Sequence, residues 1–283
     1  MTFGIEQVRG LQARSPPKTL YHYTTQEGLL GIVRTGELWA TNVQYMNDIG
    51  EFFLAVEIAV ERLRMHRFAP GLSINRLSAI LVQQLERVKE APICAVSFCV
   101  DPDLLSQWRG YAGSPGSICL GFRSEALGSS AASISGALAA CVYGREEQVK
   151  IIDEMIGLAV EDVRQLKNHN EDRITALATN FIEQLFSCGA LFKDKGFHEE
   201  AEWRLISGVQ AHLGKYGYRV GKSTLVPYLK FGLRGARWDG EIQSATVGPC
   251  PHPDDALRAV RGLFAKHGIM GDVSLSNVPY RYW

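Results

Sequence analysis

The 283-residue chain has no excess of either charge. Its 30 lysines and arginines balance 30 aspartates and glutamates. That excludes a globally basic nucleic-acid binder and an acidic tail, while leaving room for a local basic patch. Long hydrophobic runs are missing too: none approaches the ~20 residues of a membrane-crossing helix. The first residues, Met1 to Arg9, lack the apolar stretch of an export signal, so the expected setting is the cytoplasm. Cysteines are few and scattered. Cys94, Cys99, Cys119, Cys141, Cys188 and Cys250 contain no C-x-x-C pair, which argues for buried small apolar residues over disulfides or a zinc site. No metal is expected. There is no internal repeat and no low-complexity linker.

Several catalytic signatures are absent as well. Gly217-Tyr-Arg-Val-Gly221-Lys222-Ser223-Thr224 ends like a phosphate-binding loop, but the spacing requires glycine at 216, where Tyr216 stands. Pro227 follows where the helix after such a loop should run. No G-x-G-x-x-G follows a strand, no G-x-S-x-G elbow occurs, and His198-Glu199 lacks the second histidine of H-E-x-x-H. Dehydrogenase, hydrolase and zincin chemistry have no foothold.

What the chain does have is 46% apolar residues, enough for a substantial core. Helical periodicity marks 51–67 (Phe53, Val56, Val60, Leu63), 73–90, 148–167 and 172–188 (Ile174, Leu177, Phe181, Leu185), and a last helix over 253–267 opens with Pro253 and stops before Gly268. Strand-like runs lie at 18–24, 92–99, 117–123, 138–143, 201–207, 217–220, 242–247 and 271–275. Strands and helices do not alternate regularly, so the expected fold is α+β with a mixed or mostly antiparallel β core. One domain over 1–283 is expected, with helical pairs at about 51–90 and 148–188 inserted between core strands.

Three clusters carry candidate chemistry. On a strand at Leu20–Thr25, His22 and Thr24 share a face, and a histidine beside a hydroxyl can bind a hydroxylated ligand such as ribose. The competing reading is a core histidine bonded to backbone. Asp48 and Glu51 form a capping box, leaving Asn47 free to line a site. The third cluster joins Ser97-Phe98 and Trp108-Arg109-Gly110-Tyr111 to Glu200-Ala201-Glu202-Trp203-Arg204. Read as a strand, the latter places Glu200, Glu202 and Arg204 on one face. Paired carboxylates repel unless an arginine or a ligand relieves them; an exposed salt-bridged strand face is the alternative.

Taken in order, these pieces resemble the bacterial domain of unknown function 2971 family. The carriers are Tyr21–Thr24, Trp39 through Asn47-Asp48 to Glu51, Ser97-Phe98, Trp108–Ala112, Gly121-Phe122, Glu200–Arg204, Gly248-Pro249 and Ser276–Arg281, spanning about 18–283. His-x-Thr on an early strand with a late Glu-x-Glu strand also resembles the ADP-ribosyltransferase superfamily. That resemblance implies an ADP-ribosyltransferase-like core and NAD as substrate. It implies cleavage of the nicotinamide–ribose bond, with transfer of ADP-ribose to a protein or nucleic acid, as in a bacterial toxin or phage-defence effector with a cognate antitoxin or defence partner. NAD hydrolysis, or an inactive nucleotide- or protein-binding module, are the alternatives. By the resemblance His22 contacts ribose or amide with Thr24 beside it, and Tyr111 or Trp108 stacks on nicotinamide. Glu202 is the catalytic carboxylate, Glu200 orients an acceptor, and Arg109 or Arg204 holds the pyrophosphate. The middle Ser-Thr-Ser strand of that superfamily has no clean counterpart; Ser97-Phe98-Cys99 is the nearest.

Overall fold

Alternation in Thr19–Thr24 sends Leu20 inward among apolar side chains and Tyr23 to the other face, and this strand, β1, joins the two sheets of the molecule. The computed structural model describes residues 15–46, 49–65, 72–110, 116–133, 135–166, 170–209, 213–221, 223–233 and 238–281. The first sheet orders β1, β4 (Ile118–Arg123), β9 (Ile242–Val247) and β10 (Asp272–Leu275). The second orders β5 (Ala137–Ala140), β6 (Trp203–Ile206), β3 (Cys94–Phe98), β2 (Glu37–Asn42), β8 (Leu225–Gly232) and β7 (Gly217–Val220). Among the described residues every ladder is antiparallel except β9–β10. The fold is therefore α+β with a mixed sheet architecture.

Each face of the six-stranded sheet has its own core. On one side Val96, Phe98, Trp203 and Leu205 meet Leu20, Leu120 and Phe122 of the first sheet. On the other, Ala95, Ala137, Ala139 and Ile206 meet four helices. These are α2 (Ile49–Met65), α3 (Leu72–Leu85), α6 (Arg145–Arg164) and α7 (Glu171–Gly189). The two helical pairs, distant in sequence, pack against each other through Phe52, Leu81, Ile152, Ile156 and Leu185. Their apolar stripes face a shared interior, as the 3.6-residue period demands.

Four further helices are short or flank the sheets: α1 (Gln26–Thr35), α4 (Leu105–Gly110), α5 (Ser124–Ser133) and α8 (Pro253–His267). Thr25 caps α1 by accepting from the Gly28 amide, and Gly36 ends it at φ 71°. Strands β2 and β8 were not among the expected ones. Pro227 sits in β8 one residue beyond Tyr228, where pairing with β2 ends, so the β2 ladder asks no amide of it. Gly217–Val220, the start of the loop-like motif, is instead one limb of a hairpin with β8, and the Gly221 amide donates to the Thr224 carbonyl. The Asp48–Glu51 box falls outside the described residues. No helix among the described residues is long and apolar enough to cross a membrane.

Candidate functional site

Midway along β1, Tyr21 bridges Cys99, the residue just past β3, and the two exchange both backbone hydrogen bonds (2.9 and 2.8 Å). Beyond it the strands part. The carbonyl of Ser97, which the next rung would have used, instead accepts from His22 Nδ1 at 2.9 Å. That bond makes Nδ1 the protonated nitrogen of the neutral ring and Nε2 its acceptor. Burial lowers the His22 pKa, against the opposing effect of the Ser97 carbonyl. His22 thus wedges the split between the sheets, with its ring 5.7 Å from Phe98. Thr24 lies beside α1, its hydroxyl in the space a side chain at Gly28 would need.

The carboxylates come from the other side of the same junction. The strand expected over 201–207, with Glu200 read onto its charged face, is preceded by a 3-10 helix at Lys195–Glu200, and Ala201 adopts a left-handed conformation (φ 40°). Strand β6 begins only at Trp203. The turn takes Glu200 off the strand, correcting the expectation of three charged residues on one strand face; Glu202 and Arg204 alone keep that relation. Arg204 Nε and Nη2 donate to the two oxygens of Glu202 at 2.7 and 3.2 Å, and its Nη1 donates to the Ala190 carbonyl at 2.8 Å. Lys193, which follows α7, donates to Glu202 at 2.5 Å and to Glu200 at 2.7 Å. The Glu202 amide donates to the Tyr143 hydroxyl at 2.7 Å.

Lys193, Glu202 and Arg204 are each at most 4% exposed, whereas Glu200 reaches the rim. Burial would raise the Glu202 pKa, but Arg204 and Lys193 outweigh it and hold the acid at about 2. Burial likewise opposes the charge on Lys193, and Glu202 and Glu200 outweigh it, so its pKa is raised. The cluster is fully ionised. Its field reaches the sheet bridge: burial first, then Asp101, Glu200 and Glu202, push the Cys99 thiol up to about 12.

The pleat decides which candidates converge. Ser97 lies directly opposite Arg204 and Phe98 opposite Trp203, so Ser97, Arg204 and Glu202 share one face of the sheet. Tyr21, paired with Cys99, lies on that face; His22, beside Phe98, lies on the other. The structure therefore brings Glu200, Glu202 and Arg204 together and places His22 and Thr24 across the sheet from them. Trp108 is interior: its ring packs edge-on to Tyr23 at 4.6 Å and its indole N–H donates to Asp103 at 2.8 Å. Arg109 is exposed, with its guanidinium 4.9 Å from the Tyr280 ring. Asn47 and Tyr111 lie outside the described residues.

Sequence reasoning missed Lys193. Its only signal was a lysine in an apolar Leu-Phe-Lys run just after a helix, which reads as a helix end. Ser106 on α4 donates to Glu199 at 2.9 Å, tying that helix to the acidic turn. Among the described residues no group of three acidic, histidine or cysteine side chains is placed to hold a metal. An open groove of about 1050 Å³ lies across β6 from the ion cluster, lined by Lys18, Arg123, Ser124, Gln243 and Trp203; of the clusters selected from sequence it holds Trp203 alone, and none of the residues given a catalytic or ligand-binding role.

Comparison with known proteins adds one match. The family model described as Protein of unknown function (DUF2971) matches residues 107–205, from α4 through the ion cluster to β6, which supports the family resemblance over that stretch. No curated protein and no solved structure matches the chain.

Proposed function

We propose that this chain is an ADP-ribosyltransferase-like enzyme that cleaves the nicotinamide–ribose bond of NAD and passes ADP-ribose to a macromolecule. The observation that supports this reading is the pair Glu200–Glu202 gripped by one buried lysine. Glu202 is anionic at neutral pH and fixed, and Glu200, 12% exposed, is the carboxylate of the pair that faces solvent. When nicotinamide leaves with the bonding electrons, the ribose carbon becomes oxocarbenium-like, and a preorganised carboxylate stabilises that charge. In this reading Glu200 meets the ribose. Glu202 is a positioning residue, because both its oxygens are occupied by Arg204 and Lys193. A role as toxin or defence effector belongs to the same proposal.

The test is nicotinamide release from labelled NAD, with and without cell lysate. Wild type is expected to release nicotinamide and label macromolecules, while Glu200→Gln loses on the order of 100-fold or more in kcat and, though lower in Tm, stays folded at the assay temperature by circular dichroism. No release by the wild type, or full activity in Glu200→Gln, would overturn the proposal. A second reading, a non-catalytic nucleotide- or protein-binding module, is favoured by the placement of His22 and Glu202 on opposite faces of the sheet. It predicts NAD binding without nicotinamide release.

A further inference from the structure

The face that carries Glu202, Arg204 and Ser97 continues across the sheet. Thr41 on β2 pairs with Ala95 on β3, so Thr41 and, two residues back, Trp39 lie on the face of Ala95 and Ser97. Trp39 in turn pairs with Lys230 on β8, and Thr41 with Tyr228. The helical layer covers this face at Ala95, Ala137 and Ile206 and leaves the Trp39 end open. Trp39 is 43% exposed and lies flat on Tyr228, with ring centroids 4.3 Å apart and planes at 11°. Gly217, opposite Tyr228, leaves room for the ring: any side chain there would meet it at 2.6 Å. Two cations flank the stack. Arg219 donates to the Thr41 hydroxyl at 2.9 Å, and Lys230, 54% exposed, is ion-paired with Glu37 at 3.0 Å and would exchange that carboxylate for a phosphate.

A half-exposed tryptophan stacked on a second ring at the open end of a sheet face, and bordered by cations, is a stacking platform. A free mononucleotide needs a concave site that buries most of it. A polymer can use an open face instead, because it spreads stacking and phosphate contacts along its length. We propose that this face binds single-stranded nucleic acid, with one base on Trp39 and the flanking phosphate on Arg219 and Lys230. Adjacent strands are about 4.8 Å apart, so two strand steps separate Trp39 from Arg204. With nucleic acid held on this face, nucleic acid is the acceptor class we assign to Glu200. That last step rests on the function proposed above; the binding itself does not.

Binding of a fluorescently labelled 12-nucleotide single strand to the full chain, measured by anisotropy without NAD, tests the proposal separately from any catalysis. Wild type is expected to bind, Trp39→Leu to bind roughly ten-fold or more weakly, and Trp39→Phe to recover much of the loss because a ring is restored. Arg219→Ala is expected to lower the slope of log affinity against log salt by about 0.7. No binding by the wild type overturns the proposal, as does equal affinity in Trp39→Leu, or binding of AMP in place of the oligonucleotide. Circular dichroism and Tm confirm that each variant is folded.

Discussion

Protonating Glu202 would leave Lys193 and Arg204 facing each other in the interior without an anion between them. Because the folded acid titrates at about 2 against an ordinary 4.5, the unfolded chain takes up its proton first as pH falls. Its stabilisation is present above about pH 4.5 and is lost as pH falls towards 2. Glu202→Gln is expected to destabilise the fold by about 3–5 kcal/mol at neutral pH and to flatten Tm against pH in that acid range. His22 acts in a higher window. Burial holds its pKa below 6.5, so the unfolded chain binds the proton more readily, and stability present above pH 6.5 falls below it. His22→Gln keeps a donor for the Ser97 carbonyl and should reduce the loss of Tm between pH 7 and 5. Equal slopes in wild type and variant would contradict this account. At this scale the sequence was partly legible: Glu202 and Arg204 two apart implied a shared face and mutual neutralisation. The fate of Glu200 depended on the left-handed Ala201, which no local pattern signals.

Elements are held at the junction by close approaches that only small residues permit. A side chain on Gly248, just after β9, would come within 2.7 Å of the Trp108 ring and 3.0 Å of the Ser117 carbonyl. Gly248→Ala should therefore cost about 1–3 kcal/mol in urea unfolding. Asp103 is a second tie. It accepts from Trp108 Nε1, the Asn277 amide at 2.7 Å and the Ser276 hydroxyl, strapping the segment after β10 over α4. Asp103→Ala should speed hydrogen exchange at Asn277 and leave the Trp108 indole unpaired, costing about 1–3 kcal/mol; unchanged exchange would mean the strap is held otherwise. Elements with strong local punctuation were the readable ones. Helix α8 runs Pro253–His267 as its proline start and Gly268 (φ 68°) stop suggested. Strand β8 was hidden by Pro227. Strand β2 was hidden by its position directly after a helix-ending glycine, where tertiary pairing on both edges supplies what local pattern does not.

At the level of the whole molecule, the six-stranded sheet is the shared wall between a helical core and an inter-sheet core. The four described tryptophans, Trp39, Trp108, Trp203 and Trp238, lie outside the four helices of the helical core, so their fluorescence reports the sheets while ellipticity at 222 nm reports mainly the helices. A single cooperative unit predicts coincident urea transitions by both probes. Leu185→Ala, in the middle of the helical layer, should cost about 2–5 kcal/mol and lower both midpoints together. Separate transitions would divide the chain into two folding units. That the helical pairs meet each other was not legible, since periodicity gives each helix a stripe but names no partner for it.

The ion cluster also constrains how the sequence can drift. Losing Lys193, Glu202 or Arg204 singly passes through a buried, uncompensated charge, whereas exchanging all three for apolar residues of similar volume removes the conflict. Their substitution costs are then strongly non-additive: a Lys193→Met, Glu202→Met, Arg204→Met triple variant should lie closer to wild type than any of its single-step ancestors. The three positions behave as one heritable unit, and a lineage can abandon it only by crossing a valley.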